Sequence, residues 1–246
     1  MTARAAPGWL TQWEYAHRGL HGPGADGLVP ENSLAAAEGA MARGMGIECD
    51  IQMSADGVPM VFHDWELDRL TEGTGPVVSR SADEIEALRL LGTDQHPVRL
   101  ARFLEAVAGR VPLLIEIKSL PGFNIAAACL AVSEVLADYE GHFAVMSFDP
   151  RMGAWFFEHR SAFVRGLVGT DTYDGGFLSA WRAPGALDQA HPDFLALDIR
   201  DLPNAIADLW RADRRPLLSW TIRSPHLRSH AMRCVDALIA EGDGLA

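Results

Sequence analysis

The chain has 246 residues, 48% of them hydrophobic, and a formal net charge of −12. That is ample for a large core, and barrels of alternating strands and helices often run to about 250 residues as one domain. The acidic balance opposes nucleic-acid backbones at long range and excludes general nucleic-acid binding. Any phosphate must be gripped locally, by a few cations or a metal. No apolar run approaches the roughly 18 residues of a membrane helix. The N-terminal stretch MTARAAPGWLTQWEY lacks the continuous apolar segment and the cleavage pattern of a signal peptide. Cys49, Cys129 and Cys234 are widely spaced and form neither a zinc pattern nor a disulfide framework, which points to reduced thiols in a cytoplasm.

In chain order, strands are predicted at Glu14–His17, Gly46–Ile51, Pro59–Phe62, Val111–Lys118, Phe143–Ser147, Val164–Val168, Phe194–Ile199, Pro216–Thr221 and Ala237–Ala240. Helical stretches lie between most of them. Asn32–Arg43 starts at a capping residue with alanines behind it. Ser81–Leu88 opens on an S-x-x-E capping box. Ile125–Asp138, Asn204–Arg211 and His226–Val235 carry helical apolar spacing. Helices between strands require parallel pairing. Pro59–Phe62 is the exception, because it follows its predecessor across the hairpin-like turn Ser54-Ala55-Asp56-Gly57. Setting it aside leaves about eight strand–helix units. The expected fold is therefore a single α/β domain over residues 1–246: a (β/α)8 TIM-like barrel with a short extra β segment after the second strand. Gly175-Gly176 and Ala183-Pro184-Gly185 read as loops, and there are no repeats.

Residues i and i+2 of a strand share a face. Glu48 and Asp50 therefore project together, as do Glu116 and Lys118, all at the C-terminal ends of their strands. His17 ends the first strand, and His63 and Asp64 end VPMVFHD. In a parallel barrel these ends meet at one rim. Three carboxylates, Glu48, Asp50 and Glu116, suit Mg²⁺ or Ca²⁺ rather than zinc. Two histidines make a general acid and base, and Arg18 and Lys118 suit phosphate oxygens. Metal, two histidines and two cations at one rim suggest phosphodiester cleavage. Taken singly, each piece has a plainer reading: His17 or His63 as hydrogen-bonded structural residues, E-x-D as a salt-bridge partner, E-x-K as a self-contained ion pair, Trp220 as core.

Together these motifs resemble the glycerophosphodiester phosphodiesterase family, over nearly the whole chain. The resemblance is densest from Ala16 to Gly75. It runs through His17-Arg18-Gly19, Pro30-Glu31-Asn32-Ser33, Glu48-Cys49-Asp50, Ala55-Asp56-Gly57-Val58-Pro59, Val61-Phe62-His63-Asp64, Leu67-Asp68-Arg69-Leu70-Thr71 and Gly73-Thr74-Gly75. Leu114-Ile115-Glu116-Ile117-Lys118, Ser147-Phe148-Asp149 and Ser219-Trp220-Thr221 continue it. The resemblance implies a TIM-like barrel, a divalent cation, and hydrolysis of small-molecule glycerophosphodiesters to glycerol 3-phosphate and an alcohol. It implies Glu48, Asp50 and Glu116 as metal ligands and His17 and His63 as the acid–base pair. Arg18 and Lys118 would bind phosphate, Glu31 would support the metal or His17, and Trp220 would line the glycerol side.

The chain departs from the family in two places. The last strand ends Ala240-Glu241, where the family more often has Thr-Asp before a proline, a change expected to affect closure at the eighth strand. The segment between His63 and Glu116 is short, so a more open site is expected. The spacer from Gly19 to Pro30 looks long. It carries His21 and Asp26, which read as solvated loop residues or as head-group contacts. Competing readings are a phospholipase C-like enzyme acting on an intact lipid, a catalytically silent phosphodiester-binding barrel, and a carboxylate-rich metal enzyme such as a sugar isomerase. A basic or aromatic membrane patch would favour the first, and loss of the acid–base pair the second.

Overall fold

The computed structural model describes residues 5–24, 27–171 and 177–246, with the side chains of 177–179 left aside. Asp26 and Gly175-Gly176 therefore lie outside the described residues. The chain opens with a 3-10 turn at Gly8–Thr11, followed by β1 (Tyr15–Ala16) and a small hairpin, β2 (Gly22–Gly24) and β3 (Gly27–Val29). Next come α1 (Leu34–Ala42), β4 (Gly46–Met53), β5 (Pro59–Val61), α2 (Ala82–Glu86), β6 (Val98–Arg99) and α3 (Leu100–Val107). A regular alternation follows: β7 (Leu113–Ile117), α4 (Ile125–Val135), β8 (Phe143–Ser147), α5 (Pro150–His159), β9 (Val164–Gly169), α6 (Ala186–Ala190), β10 (Phe194–Asp198), α7 (Ala205–Ala212), β11 (Leu217–Ile222), α8 (Pro225–Cys234) and β12 (Ala237–Ala240).

The strands close a parallel barrel of eight, in the order β1-β4-β7-β8-β9-β10-β11-β12 and back to β1. β5 and β6 continue antiparallel from β4 outside the ring, so the extra segment foreseen after the second strand carries a further short partner. Closure does not suffer from Ala240-Glu241. β12 pairs with β1 in register Tyr15↔Ile239 and Ala16↔Ala240, and His17 N donates to Ala240 O at 2.8 Å.

Strand alternation sorts each strand into two faces. Ile47, Cys49, Ile51, Leu113, Ile115 and Ile117 face outward. They pack in one cluster with Phe103, Leu104 and Val107 of α3 and Cys129 and Val132 of α4. The opposite parity faces inward, where Tyr15, Leu114, Met146, Phe194, Leu218 and Ile239 cluster with Leu10 from the N-terminal turn. Tyr15 Oη donates to Leu10 O at 3.1 Å, so the floor of the barrel is filled. Two glycines make room for the inner rings. A Cβ on Gly46 would fall 2.5 Å from Tyr15, and one on Gly166 would fall 2.2 Å from Phe194.

Helix starts follow capping chemistry. Ser33, rather than Asn32, caps α1 by accepting from Ala36 N at 3.1 Å. Ser81 and Glu84 form the foreseen reciprocal box at α2. Residues 58–99 carry a small separate core of Met60, Phe62, Leu67, Val77, Ile85 and Leu90. The three cysteines are free, Cys49 and Cys129 buried. No helix among the described residues is long and apolar enough to cross a membrane.

Candidate active site

The inward parity of β4 and β7 that fills the barrel with apolar groups lower down carries Glu48, Asp50 and Glu116 at the rim. Register pairs Asp50 with Glu116. All three are buried, and one oxygen from each lies within 4.8 Å of the others. Lys118 bridges the pair, its Nζ donating to Asp50 Oδ1 at 2.7 Å and Glu116 Oε1 at 2.6 Å. The E-x-K pattern is thus an ion pair, but a shared one.

The His17-Arg18-Gly19 turn sits on the next strand of the ring. Arg18 has φ +58° and Gly19 φ +77°, and Gly19 N returns to Ala16 O at 3.1 Å. A Cβ on Gly19 would lie 2.8 Å from Ala36 backbone, so only glycine fits between the turn and α1. The turn aims Arg18 backbone N–H at Glu48 Oε2 (3.0 Å) and brings Arg18 Nε to 3.3 Å from Asp50 Oδ2. Asn32, freed from capping, donates to Asp50 Oδ2 at 2.9 Å and accepts from Asp50 N at 3.2 Å. It fixes the Asp50 carboxylate from behind, a role the sequence reading did not give it.

Each histidine has a carboxylate behind it. His17 Nδ1 meets Glu241 Oε2 at 2.5 Å, leaving Nε2 4.0 Å from Glu48. His63 Nδ1 meets Asp64 Oδ1 at 2.7 Å. Glu241 also accepts from Arg223 Nε at 2.5 Å, and His21 Nε2 stands 3.4 Å from it. The sequence contained the signal for Glu241, because Ala237, Ile239 and Glu241 share the inward parity. Glu31 departs from its expected role. It touches neither His17 nor the carboxylate cluster, and instead accepts from Arg18 Nη1 at 2.7 Å and from Arg69 at 2.8 and 3.1 Å.

The electrostatics follow from this crowding. Burial, with Asp50 and Glu116 alongside, pushes the Glu48 carboxyl well above its usual value. Burial acts the same way on Asp50, but Lys118, His63 and Arg18 outweigh it and hold that group ionised. Burial pushes His17 down to about 4 against the pull of Glu241, so its imidazole is neutral at pH 7. Burial alone would raise Glu241, but its bonds to His17, His21 and Arg223 carry it well below the carboxylate range. Three carboxylates face Lys118 and an Arg18 that also serves Glu31, which leaves negative charge uncompensated and Glu48 prone to protonation. An oxygen-rich donor set with that deficit fits a hard divalent cation.

His17, Arg18, Glu48, Asp50, His63, Glu116, Lys118 and Trp220 all line one cavity of about 620 Å³. One part of its wall is aromatic and apolar, with Trp65, Leu120, Met146 and Phe148, the last edge-on to Trp220 at 5.5 Å; Glu66, Ser119, Arg200 and Arg223 make another part polar. Trp220 is not plain core. Its Nε1 donates to Ala196 O at 2.9 Å while the ring borders the cavity.

Over residues 17–151, more than half of the chain, the sequence matches the glycerophosphoryl diester phosphodiesterase family. The chain belongs to that family. A glycerophosphodiester phosphodiesterase of Caldanaerobacter subterraneus subsp. tengcongensis is 40% identical over 96 residues, 38% of this chain and 36% of the relative. Glycerophosphodiester phosphodiesterase 1 of Bos taurus is 41% identical over 61 residues, 24% of this chain and 18% of the relative. The matched stretches thus span less than two-fifths of these relatives' length. The fold likeness is broader. An Oleispira antarctica phosphodiesterase solved with sn-glycerol-3-phosphate superposes with TM-score 0.78 at 23% identity, covering 93% of this chain and 92% of that one. A glycerophosphodiester phosphodiesterase of Agrobacterium tumefaciens gives TM-score 0.70 at 24% identity, covering 94% and 97%.

Within this phosphodiesterase-family barrel, every residue that the resemblance gave a ligand, catalytic or substrate role except Glu31 borders the cavity, and Glu31 reaches it through Arg18; His21 does not line it. Asn32, Asp64, Arg69, Arg223 and Glu241 are the partners that sequence reasoning left without a role.

Proposed function

We propose that the protein hydrolyses glycerophosphodiesters to glycerol 3-phosphate and an alcohol, with the help of a divalent cation. The observation that carries this reading is the pair of histidines, each backed by its own carboxylate, beside a buried cluster of three carboxylates at one rim. A barrel that only bound a phosphodiester would have no use for two imidazoles held ready to exchange protons. Family membership and the fold support the same substrate class.

Glu48, Asp50 and Glu116 would hold the cation, Mg²⁺ or Ca²⁺, which when bound supplies positive charge to a phosphoryl oxygen. The chain's own groups do the rest. Glu241 occupies His17 Nδ1, so the free Nε2 accepts a proton from the attacking oxygen, which is a water or the substrate's neighbouring hydroxyl; in the second case the alcohol leaves a cyclic phosphodiester, which a water then opens to glycerol 3-phosphate. A neutral imidazole at pH 7 is the form a base requires. Asp64 occupies His63 Nδ1, so Nε2 is the atom that protonates the departing alcohol. Arg18 and Lys118 border the cavity and stabilise charge growing on the phosphoryl oxygens. Trp220 and Phe148 shield that step from bulk water. Free cysteines favour a reducing, cytoplasmic setting, which fractionation with a compartment marker tests.

The test is release of glycerol 3-phosphate from glycerophosphocholine and glycerophosphoethanolamine, with Mg²⁺, with Ca²⁺ and with a chelator. Metal-dependent release that disappears in His17→Ala supports the reading. Absence of release under every metal, from folded protein that still binds the cation, rejects it and directs the assay to vesicles of intact phospholipid.

A further inference from the structure

The Leu67-Asp68-Arg69-Leu70-Thr71 motif is used by none of the steps above, yet one of its side chains joins two of the functional groups. The Arg69 guanidinium lies between two carboxylates and is forked to both. Nε and Nη2 donate to Asp64 at 2.5 and 2.8 Å. Nη1 and Nη2 donate to Glu31 at 3.1 and 2.8 Å. Asp64 in turn meets His63 Nδ1 at 2.7 Å, and Glu31 meets Arg18 Nη1 at 2.7 Å. A continuous chain of charge-assisted bonds thus runs from the histidine after β5 to the arginine after β1, through a residue that touches neither the cavity nor the carboxylate cluster. The bonds to Asp64 and Glu31 hold Arg69 firmly charged, and they help keep both carboxylates ionised against burial.

We infer that Arg69 is a positioning residue that fixes the His63 imidazole and the Arg18 guanidinium together, by clamping Asp64 and Glu31 in one geometry. The inference rests on the glycerophosphodiester reading. Without Arg69, Asp64 is free to turn from His63 Nδ1 and Glu31 is left with Arg18 alone. Lysine cannot replace it, because an ammonium lacks the planar fork that serves two carboxylates at once.

The decisive comparison uses two esters of glycerol 3-phosphate. A choline ester departs only as its oxygen is protonated, whereas a p-nitrophenyl ester departs as a stable anion and needs no acid. Wild type, Arg69→Met, Arg69→Lys and Arg110→Met are assayed with Mg²⁺. Arg110→Met removes a comparably exposed arginine, paired with Glu38 and outside the cavity lining, and serves as the control. In Arg69→Met, kcat on the choline ester falls about tenfold or more, with a much smaller fall on the aryl ester. KM rises on both as Arg18 loosens, Arg69→Lys recovers little, and the control matches wild type. Long-range proton–nitrogen spectra of substrate-free protein at alkaline pH give a readout independent of turnover: one His63 tautomer, protonated at Nδ1, in wild type and a mixture in Arg69→Met. Choline-ester turnover within about twofold of wild type overturns the inference, as do equal falls on both esters that track a lowered melting temperature. If wild type cleaves neither ester, the glycerophosphodiester reading fails, and the His63 tautomer alone decides the role of Arg69.

Discussion

His17 and Glu241 are 224 positions apart and meet at 2.5 Å across the seam where the last strand closes on the first. The contact places a carboxylate on Nδ1 and leaves Nε2 to the cavity. Replacing Glu241 with Gln keeps the shape and removes the charge. We expect kcat to fall on the order of 10²-fold, because the imidazole loses the partner that selects its tautomer, and the melting temperature at neutral pH to drop as the ionised carboxylate's contribution is lost. Steady-state kinetics with a parallel thermal melt checks this.

The carboxylate cluster predicts a ligand effect that needs no turnover. Mg²⁺ or Ca²⁺ should raise the melting temperature of wild type, by mass action on the folded state. Asp50→Asn and Glu116→Gln should abolish the shift. A cation that stabilises all three proteins equally is bound elsewhere.

Stability should depend on acid in a definite direction. Burial would raise Asp64 and Glu241, but the bonds from His63, Arg69, His17 and Arg223 win and depress both. A depressed folded-state value means the unfolded chain takes up protons first. The contribution is therefore complete above the unfolded value, near pH 4 for a carboxyl, and is lost as pH falls below it. Melts between pH 7 and pH 3 should fall in two stages: first as the unfolded chain's His17 takes up the proton that burial denies the folded one, then more steeply below about pH 4, with the lower stage shallower in Glu241→Gln.

Two glycines test the barrel interior. Gly166→Ala would place a methyl 2.2 Å from the Phe194 ring, and Gly46→Ala one 2.5 Å from Tyr15. Each should cost about 1–3 kcal/mol in urea unfolding, since neither ring has room to retreat.

Trp220→Ala should raise KM several-fold with a smaller effect on kcat, because the ring borders the cavity without carrying a proton or a charge. An unchanged KM would remove it from the substrate side.

Strand parity made most of this legible beforehand. Glu48 with Asp50, and Glu116 with Lys118, could be placed on one face from spacing alone, and their apolar neighbours showed which way the other face turned. The α3 helix was missed, although Leu100, Phe103, Leu104 and Val107 follow a helical stripe, because Arg99 offers no side-chain cap to mark its start. The Asp149-Pro150 start of α5 had such a mark and went unused. The Gly22–Gly24 strand could not be read, because its Gly-Pro-Gly composition carries no alternation. Nor could the clamp on Glu31. Arg69 reaches it across 38 positions, and only the folded chain brings them together. The change to Glu241 looked like a flaw in strand closure because local pattern shows which face a side chain takes but not what waits there.

The filled floor of the barrel has a consequence for traffic. With Tyr15, Leu10 and the inner rings occupying the interior, the cavity is a cul-de-sac rather than a passage. Whatever reacts there arrives and departs by one doorway. If the proposed hydrolysis holds, the fragment lying against the carboxylates would leave after the outer one.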